Sequence, residues 1–260
     1  MSIAKQFEET LAAAGKSAQQ INHWGLTLAV VTNVNDEQKL NRVKCLPIMN
    51  DQQEETDWCY VMSPFAGKDH GQFFFPNVDD LVILGYLNGD PHRPIVLGGF
   101  WNSEVTPPYT IAEGKIHNYT IKTPGGTELL FYDEPDKQKV TLTLPSGAVL
   151  SVDDEKKTAT LSDKNADNAL TINFAKGEIK LSAKTKLTLS AGETTIVLES
   201  SGNITEKSSA KISMEAATIE GKASAKLALS GATSEVKADA TLTLQASEPA
   251  NLKGAIVKIN

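Results

Sequence analysis

The chain has few aromatic residues, only two arginines (Arg42, Arg93) and two cysteines, and no long apolar run. Each shortage excludes something. No stretch approaches the roughly 18–20 apolar residues that a membrane-spanning helix needs. Two cysteines cannot form a disulfide framework, so Cys45 and Cys59 read as small buried residues on strands. Lys and Arg fall short of Asp and Glu, 25 against 32, so the basic footprint of a nucleic-acid-binding protein is absent. The deficit sits in one half. Residues 1–118 carry 8 basic against 14 acidic groups, net −6, and residues 119–260 carry 17 against 18, net −1. The N-terminus lacks the charged start, apolar run and cleavage site of a signal peptide. The expectation is therefore a chain made in the cytoplasm that does not leave by that route. The sharpest absence is local: from Ala175 to Asn260 there is no Phe, Tyr, Trp, His, Arg or Cys. Two halves this different are not expected to share one core.

What is present reads as strands. Residues 1–24 hold an exception, a helix over 4–21 with Phe7, Leu11, Ala14 and Ile21 near one face. From 25 to 102, Leu26, Leu28 and Val30 alternate, Val43 and Cys45 follow a polar turn, and Trp58 to Met62 makes another strand. Leu81 to Leu87 is apolar enough to be buried on both faces, and Gly89-Asp90-Pro91 is turn chemistry before Ile95 to Leu97. Short strands at this spacing without intervening helices predict a small antiparallel barrel. Pro107, Pro108 and Gly114 mark residues 103–118 as a linker, and strands resume over 119–175.

Residues 176–260 are built from apolar doublets spaced i, i+2. They are Ile179/Leu181, Leu187/Leu189, Ile196/Leu198, Ile212/Met214, Leu227/Leu229, Leu242/Leu244 and Val257/Ile259. The last four recur at a strict 15-residue step, the mark of a repeat architecture. Ala, Lys and Glu favour helix by propensity, but i, i+2 is strand spacing. Two medium aliphatic groups per strand make too thin a core for one copy. Three copies around one axis bury every doublet and pair every edge. Leu187, Leu189, Ile196, Leu198, Ile212, Met214, Leu227, Leu229, Leu242 and Leu244 are the expected trimer core.

Several segments resemble a known family. They are Gly25 to Asp36, Asn41 to Lys44, Trp58 to Val61, Pro64 to Gly67, Gly71 to Pro76, Val78 to Ile83, Gly89 to Gly98 and Trp101-Asn102. In this order they resemble the oligonucleotide/oligosaccharide-binding (OB) domain of the phage baseplate assembly and central spike family. The type VI secretion spikes of the valine-glycine repeat family look similar. Ile121 to Asp133 and Pro145 to Asp154 resemble that family's neck, and the doublet repeat resembles its triple-stranded β-helix needle. One departure is Asn41, where the family more often has Gly; Asn tolerates the same left-handed turn.

The resemblance implies an all-β chain: an N-terminal helix (1–24), a small OB-fold barrel (25–102), a linker (103–118), a β-rich neck (119–175) and an intertwined trimeric β-helix needle (176–260). It implies the central spike of a contractile injection machine, a phage baseplate or a related particle. Such a spike assembles in the host cytoplasm and acts from a virion or extracellular particle. Its expected partners are two further copies of itself, a separate hub protein, and a tip protein of the proline-alanine-alanine-arginine repeat type. Ala255, Ile256, Val257, Lys258, Ile259 and Asn260 would seat that tip. Contact with the target envelope is transient, and no nucleic acid is bound. No lysozyme insertion fits within Ser103 to Asn118, and no His-x-His metal tip follows His117.

No catalytic, cofactor or metal site is expected. Asp79-Asp80 and Glu54-Glu55 are adjacent carboxylates, but neighbours on a strand point apart and turn carboxylates are solvated. His23, His70, His92 and His117 lack metal-ligand spacing. Phe73-Phe74-Phe75 can stack bases on an OB fold, yet the surrounding net negative charge points to core or trimer packing. The alternatives are a receptor- or polysaccharide-binding tail fibre and a cell-wall hydrolase spike.

Overall fold

A computed structural model of the chain describes residues 25–48 and 54–259. The helix expected over 4–21 lies outside these residues, as do His23 and Asn260. The described chain is all-β apart from one 3-10 turn, Leu87–Gly89. It divides into two compact units, the first running to Lys184 and the second beginning at Thr185.

The first unit opens with seven strands: β1 (Thr27–Asn33), β2 (Lys44–Pro47), β3 (Tyr60–Val61), β4 (Ala66–Gly67), β5 (His70–Gly71), β6 (Leu81–Tyr86) and β7 (Pro94–Gly99). Five of them form one sheet in the order β2-β1-β6-β7-β3. All its pairings are antiparallel except β3 with β7, which is parallel. Its two edges meet through Val43 and Cys59, whose N–H groups each donate to the other's carbonyl at 3.0 and 2.7 Å. The five strands therefore close on themselves, and closure removes the exposed edges of an open sheet. Register shifts at Val31/Asn33 and Ile83/Leu84 supply the coiling that so small a barrel needs.

Its core is narrow: Ala29, Val31, Val43, Cys45, Cys59, Val82, Leu84 and Val96. Both cysteines are free and buried within it, as expected of small strand residues. The adjacent Cys59 and, after it, burial push the Cys45 thiol up. Leu28 and Val30, which alternate with them in the sequence, lie on the other face of β1 from Ala29 and Val31, and Leu26 precedes the strand. Asp79 and Asp80 are not on a strand. They form the turn into β6, where Asp79 has φ 73° and Asp80 accepts the Asn77 N–H at 2.7 Å. Asn41 has φ 55°, the left-handed conformation that Asn shares with Gly.

Seven consecutive strands follow: β8 (Asn118–Lys122), β9 (Glu128–Tyr132), β10 (Lys139–Thr143), β11 (Val149–Asp153), β12 (Thr158–Ser162), β13 (Ala169–Asn173) and β14 (Glu178–Ser182). Each pairs antiparallel with the next, in one seven-stranded sheet. The sheet continues past residue 175 to Ser182. Polar strand ends make the hairpins. Asp153 and Asn173 accept the N–H of Lys156 and Lys176, three residues on, at 2.9 Å each. The Asp163 carboxylate accepts from the N–H groups of Asp167 and Asn168. Such side-chain acceptors stabilise tight turns and stop the chain from running on.

The second unit holds β15 (Lys186–Ala191), β16 (Thr194–Glu199) and β17 (Ile204–Lys207), an antiparallel sheet in that order. Residues 208–259 carry no strand, and 209–259 are exposed throughout.

Candidate functional site

The feature that calls for a partner is one face of the seven-stranded sheet. Strand residues alternate between faces, and the pairing register lines the apolar ones up across all seven strands. One row runs Ile121, Leu129, Leu142, Leu150, Leu161, Leu170, Leu181. The second runs Tyr119, Phe131, Val140, Val152, Ala159, Ile172, Ile179. Between the two rows, on the opposite face, lie Thr120, Leu130, Thr141, Ser151, Thr160, Thr171 and Lys180. One face is thus aliphatic with two aromatics, and the other is dominated by hydroxyls and charge. None of the row residues is buried in a single copy, and Leu150 is 49% exposed. A contiguous apolar face of this extent marks an interaction surface.

The residues expected to form a trimer core divide between two environments. The structure brings Leu187, Leu189, Ile196 and Leu198 together: Leu187 pairs with Leu198, and Leu189 with Ile196. Ile204 extends the Leu187 row. Leu189, Ile196 and Leu198 stay more than a third exposed. Ile212, Met214, Leu227, Leu229, Leu242 and Leu244 are not brought together. They are exposed on the strand-free stretch, as are Ala255 to Ile259. Two aliphatic groups per segment give a lone chain too little apolar area to offset the entropy of ordering it.

Sequence reasoning missed the rows on β8–β14 as a site. Val140/Leu142, Leu150/Val152 and Leu170/Ile172 are doublets of the same kind as those further on, so the signal was present. Phe73 and Phe74 are not core residues. Both are mostly exposed, and the Phe73 ring lies 4.4 Å from that of Phe75. Phe74 and Phe75 line a depression of about 400 Å³ with Met62, Phe100 and Trp101. Of the histidines, His70 and His117 bond backbone carbonyls, and His92 Nδ1 lies 2.8 Å from Asp57 Oδ2. Among the described residues, no three His, Cys, Asp or Glu are grouped to hold a metal ion.

The loop between β1 and β2 is fixed by one carboxylate. Arg42 donates Nε and Nη2 to the two oxygens of Asp36 at 2.9 Å each, and Asp36 also accepts from the Gln38 and Leu40 N–H groups. The Arg42 guanidinium holds the Asp36 carboxyl well below the usual carboxylate range, against the opposing effect of burial.

A closed five-stranded barrel with a parallel β3/β7 pair, followed by a meander with one apolar face, defines the class: an OB-fold domain followed by an antiparallel β-meander. Residues 27–101 match the family model of the type VI secretion system/phage-baseplate injector OB domain. The chain is similar to the actin cross-linking toxin VgrG1 of Vibrio cholerae, with 33% identity over 97 residues, 36% of this chain and 9% of that protein. It is also similar to the type VI secretion system spike protein VgrG3 of Vibrio cholerae, at 30% over 35% of this chain and 9% of the relative. For the spike protein VgrG1c of Pseudomonas aeruginosa the figures are 35% identity, 32% of this chain and 12% of the relative. The aligned stretch thus spans about a tenth of the length of these relatives. Over its barrel the chain is similar to the injector OB domain of baseplate and spike proteins.

Proposed function

We propose that the chain is the central spike of a contractile injection machine, a structural protein acting as a homotrimer. The observation that carries this reading is the pair of apolar rows on β8–β14, exposed in one copy, on a chain whose barrel matches the injector OB domain. Three such sheets turned inward around one axis would bury all three apolar faces and leave the hydroxyl faces in water. Burying a half-exposed aliphatic side chain contributes about 1 kcal/mol. With two positions on each of seven strands, the gain is on the order of 10 kcal/mol per copy before the entropy of association is subtracted. A shaft with so continuous a core is stiff, because close-packed interiors deform little.

In this reading residues 25–102 form the barrel that meets a separate hub at the tube end, 103–118 the linker, and 119–175 the neck. Residues 176–260 form the needle, where the doublets at 212, 227 and 242 pack only against other copies. Ala255 to Asn260 would seat a tip protein. Sheath contraction would drive the spike into the target envelope, and the stiff needle would concentrate the force. The role is mechanical, without an active site of its own. The spike names of two relatives support it; the toxin name of another belongs to a protein about ten times the length of the aligned stretch.

The experiment is to label particles from the producing cell with an antibody against residues 176–260 and image them by electron microscopy. Label at the centre of a baseplate, on the tube axis, is the expected result. Label on peripheral fibres, or none on particles that contain the chain by mass spectrometry, would overturn the reading.

A further inference from the structure

The barrel leaves one concave apolar surface open. The depression of about 400 Å³ is lined by Met62, Phe74, Phe75, Leu81, Phe100 and Trp101, among others. Three parts of the chain build it. Met62 follows β3, and its N–H donates to the Val96 carbonyl at 2.8 Å. Leu81 opens β6, and the Phe100 N–H, just past β7, donates to the Leu81 carbonyl at 2.9 Å. Phe74 and Phe75 come from the stretch between β5 and β6. These backbone bonds fix the floor, yet the rim stands in water: Met62 is 54% and Trp101 63% exposed. An aromatic hollow left open to solvent marks a docking site.

The chain itself carries a matching segment next to the barrel. Residues 1–24 precede Gly25, the first described residue. Within them Phe7, Leu11, Ala14, Ala18 and Ile21 recur at i, i+4, i+7, i+11 and i+14, a spacing that predicts a helix with one apolar stripe. Lys5, Glu9, Lys16 and Gln20 fall on the opposite face. The reach is sufficient. Thr27, at the start of β1, pairs with Leu84, and Leu81 on the floor lies about 10 Å further along β6. A helix over 4–21 spans about 27 Å, so the stripe extends from Gly25 past the depression. Phe7 and Leu11 have the size to fill the hollow, and Ala14 and Ala18 allow close approach to the barrel wall. Tethering also sets an effective concentration on the order of millimolar, so a weak contact suffices. We propose that residues 4–21 dock as an amphipathic helix in this depression of their own barrel, with Phe7 and Leu11 seated among Phe74, Phe100 and Trp101. This proposal stands independently of the spike reading.

The test is hydroxyl-radical footprinting of the full chain, read by mass spectrometry at Met62 and Trp101. Leu11→Asp, which sets a carboxylate on the stripe, should raise modification of both severalfold. Tyr60, which does not line the depression, should be unchanged. Glu9→Lys, on the polar face, should alter neither, and Leu11→Met should keep the parent's protection. None of these positions belongs to the barrel core, so all three variants should stay folded. In the reverse direction, Trp101→Asp should speed amide exchange across residues 4–21 severalfold. Three results would overturn the proposal: equal modification of Met62 and Trp101 in the parent and in L11D, exchange over 4–21 unmoved by Trp101→Asp, or protection in the parent that is lost on dilution, which would give the depression to a second copy.

Discussion

Leu150 is the middle residue of the leucine row, flanked on neighbouring strands by Leu142 and Leu161. Its neighbour Ser151 faces the other side of the same strand and pairs with Thr141 and Thr160. This gives a matched pair of perturbations one residue apart. In a single copy Leu150 is 49% exposed, so truncation to Ala forfeits about 1 kcal/mol per copy on assembly, or about 3 kcal/mol per trimer. That weakens association on the order of a hundredfold. Leu150→Lys goes further. Threefold symmetry places three ammonium groups in one apolar layer, each costing several kcal/mol of lost hydration, a total on the order of 10 kcal/mol. Within one copy the lysine meets water, and the backbone ladder is untouched. Light scattering should therefore find L150K monomeric with the parent's far-ultraviolet dichroism over β8–β14, and S151K trimeric. A trimeric L150K, or dissociation by S151K alone, would refute the assignment of the inward face.

Further expectations follow from the barrel. Leu84→Ala, at a fully buried core position, should cost about 2–5 kcal/mol in urea unfolding, because so narrow a core cannot collapse around the cavity; a loss under 1 kcal/mol would contradict the packing described. Asp36→Asn should destabilise the barrel at neutral pH, where the wild-type carboxylate is ionised and paired. Since the folded carboxyl is held well below its unfolded value, that advantage should be complete above about 4, begin to shrink below it, and be lost only as pH falls through the lower folded value. Denaturant melts of both forms at pH 7 and pH 3 check this, and an equal gap at both would count against it. The hydrogen bond that His92 donates to the Asp57 carboxylate raises the His92 pKa. The stability it contributes is then complete below about 6.5 and fades as pH rises through the higher folded value. In an NMR titration the His92 midpoint should lie above 6.5, and Asp57→Asn should lower it.

The barrel was legible in the sequence because its strands are short, β-rich and set off by turn chemistry. The parallel step that closes it was not, because the reading was of an antiparallel barrel and nothing local in Tyr60 or Val61 encodes a parallel pairing with Ile95 and Val96 across the intervening hairpin. Asn41 was readable in advance, since its left-handed turn is a property of one residue. Phe73 and Phe74 were harder, because an aromatic run looks the same in a core and at an interface. On the sheet, doublets such as Leu150/Val152 could be seen, but their alignment could not. Register is set by hairpins of different lengths, and Ala159 is too small to announce itself as part of a row. The Arg42 guanidinium lies 5.7 and 5.9 Å from the Trp58 and Tyr60 ring centres, a contact between two loops and β3 that only folding brings together. The doublets beyond residue 207 show the opposite case. Their spacing is the clearest pattern in the chain, and a single copy does not gather them; in the proposed trimer their contacts lie between copies.

The account turns on three copies sharing one core. Native mass spectrometry of the full chain, backed by light scattering across a dilution series, tests that most directly. The predicted result is a single species at three times the 27.9 kDa chain mass, persisting on dilution. A species at the mass of one chain would contradict it.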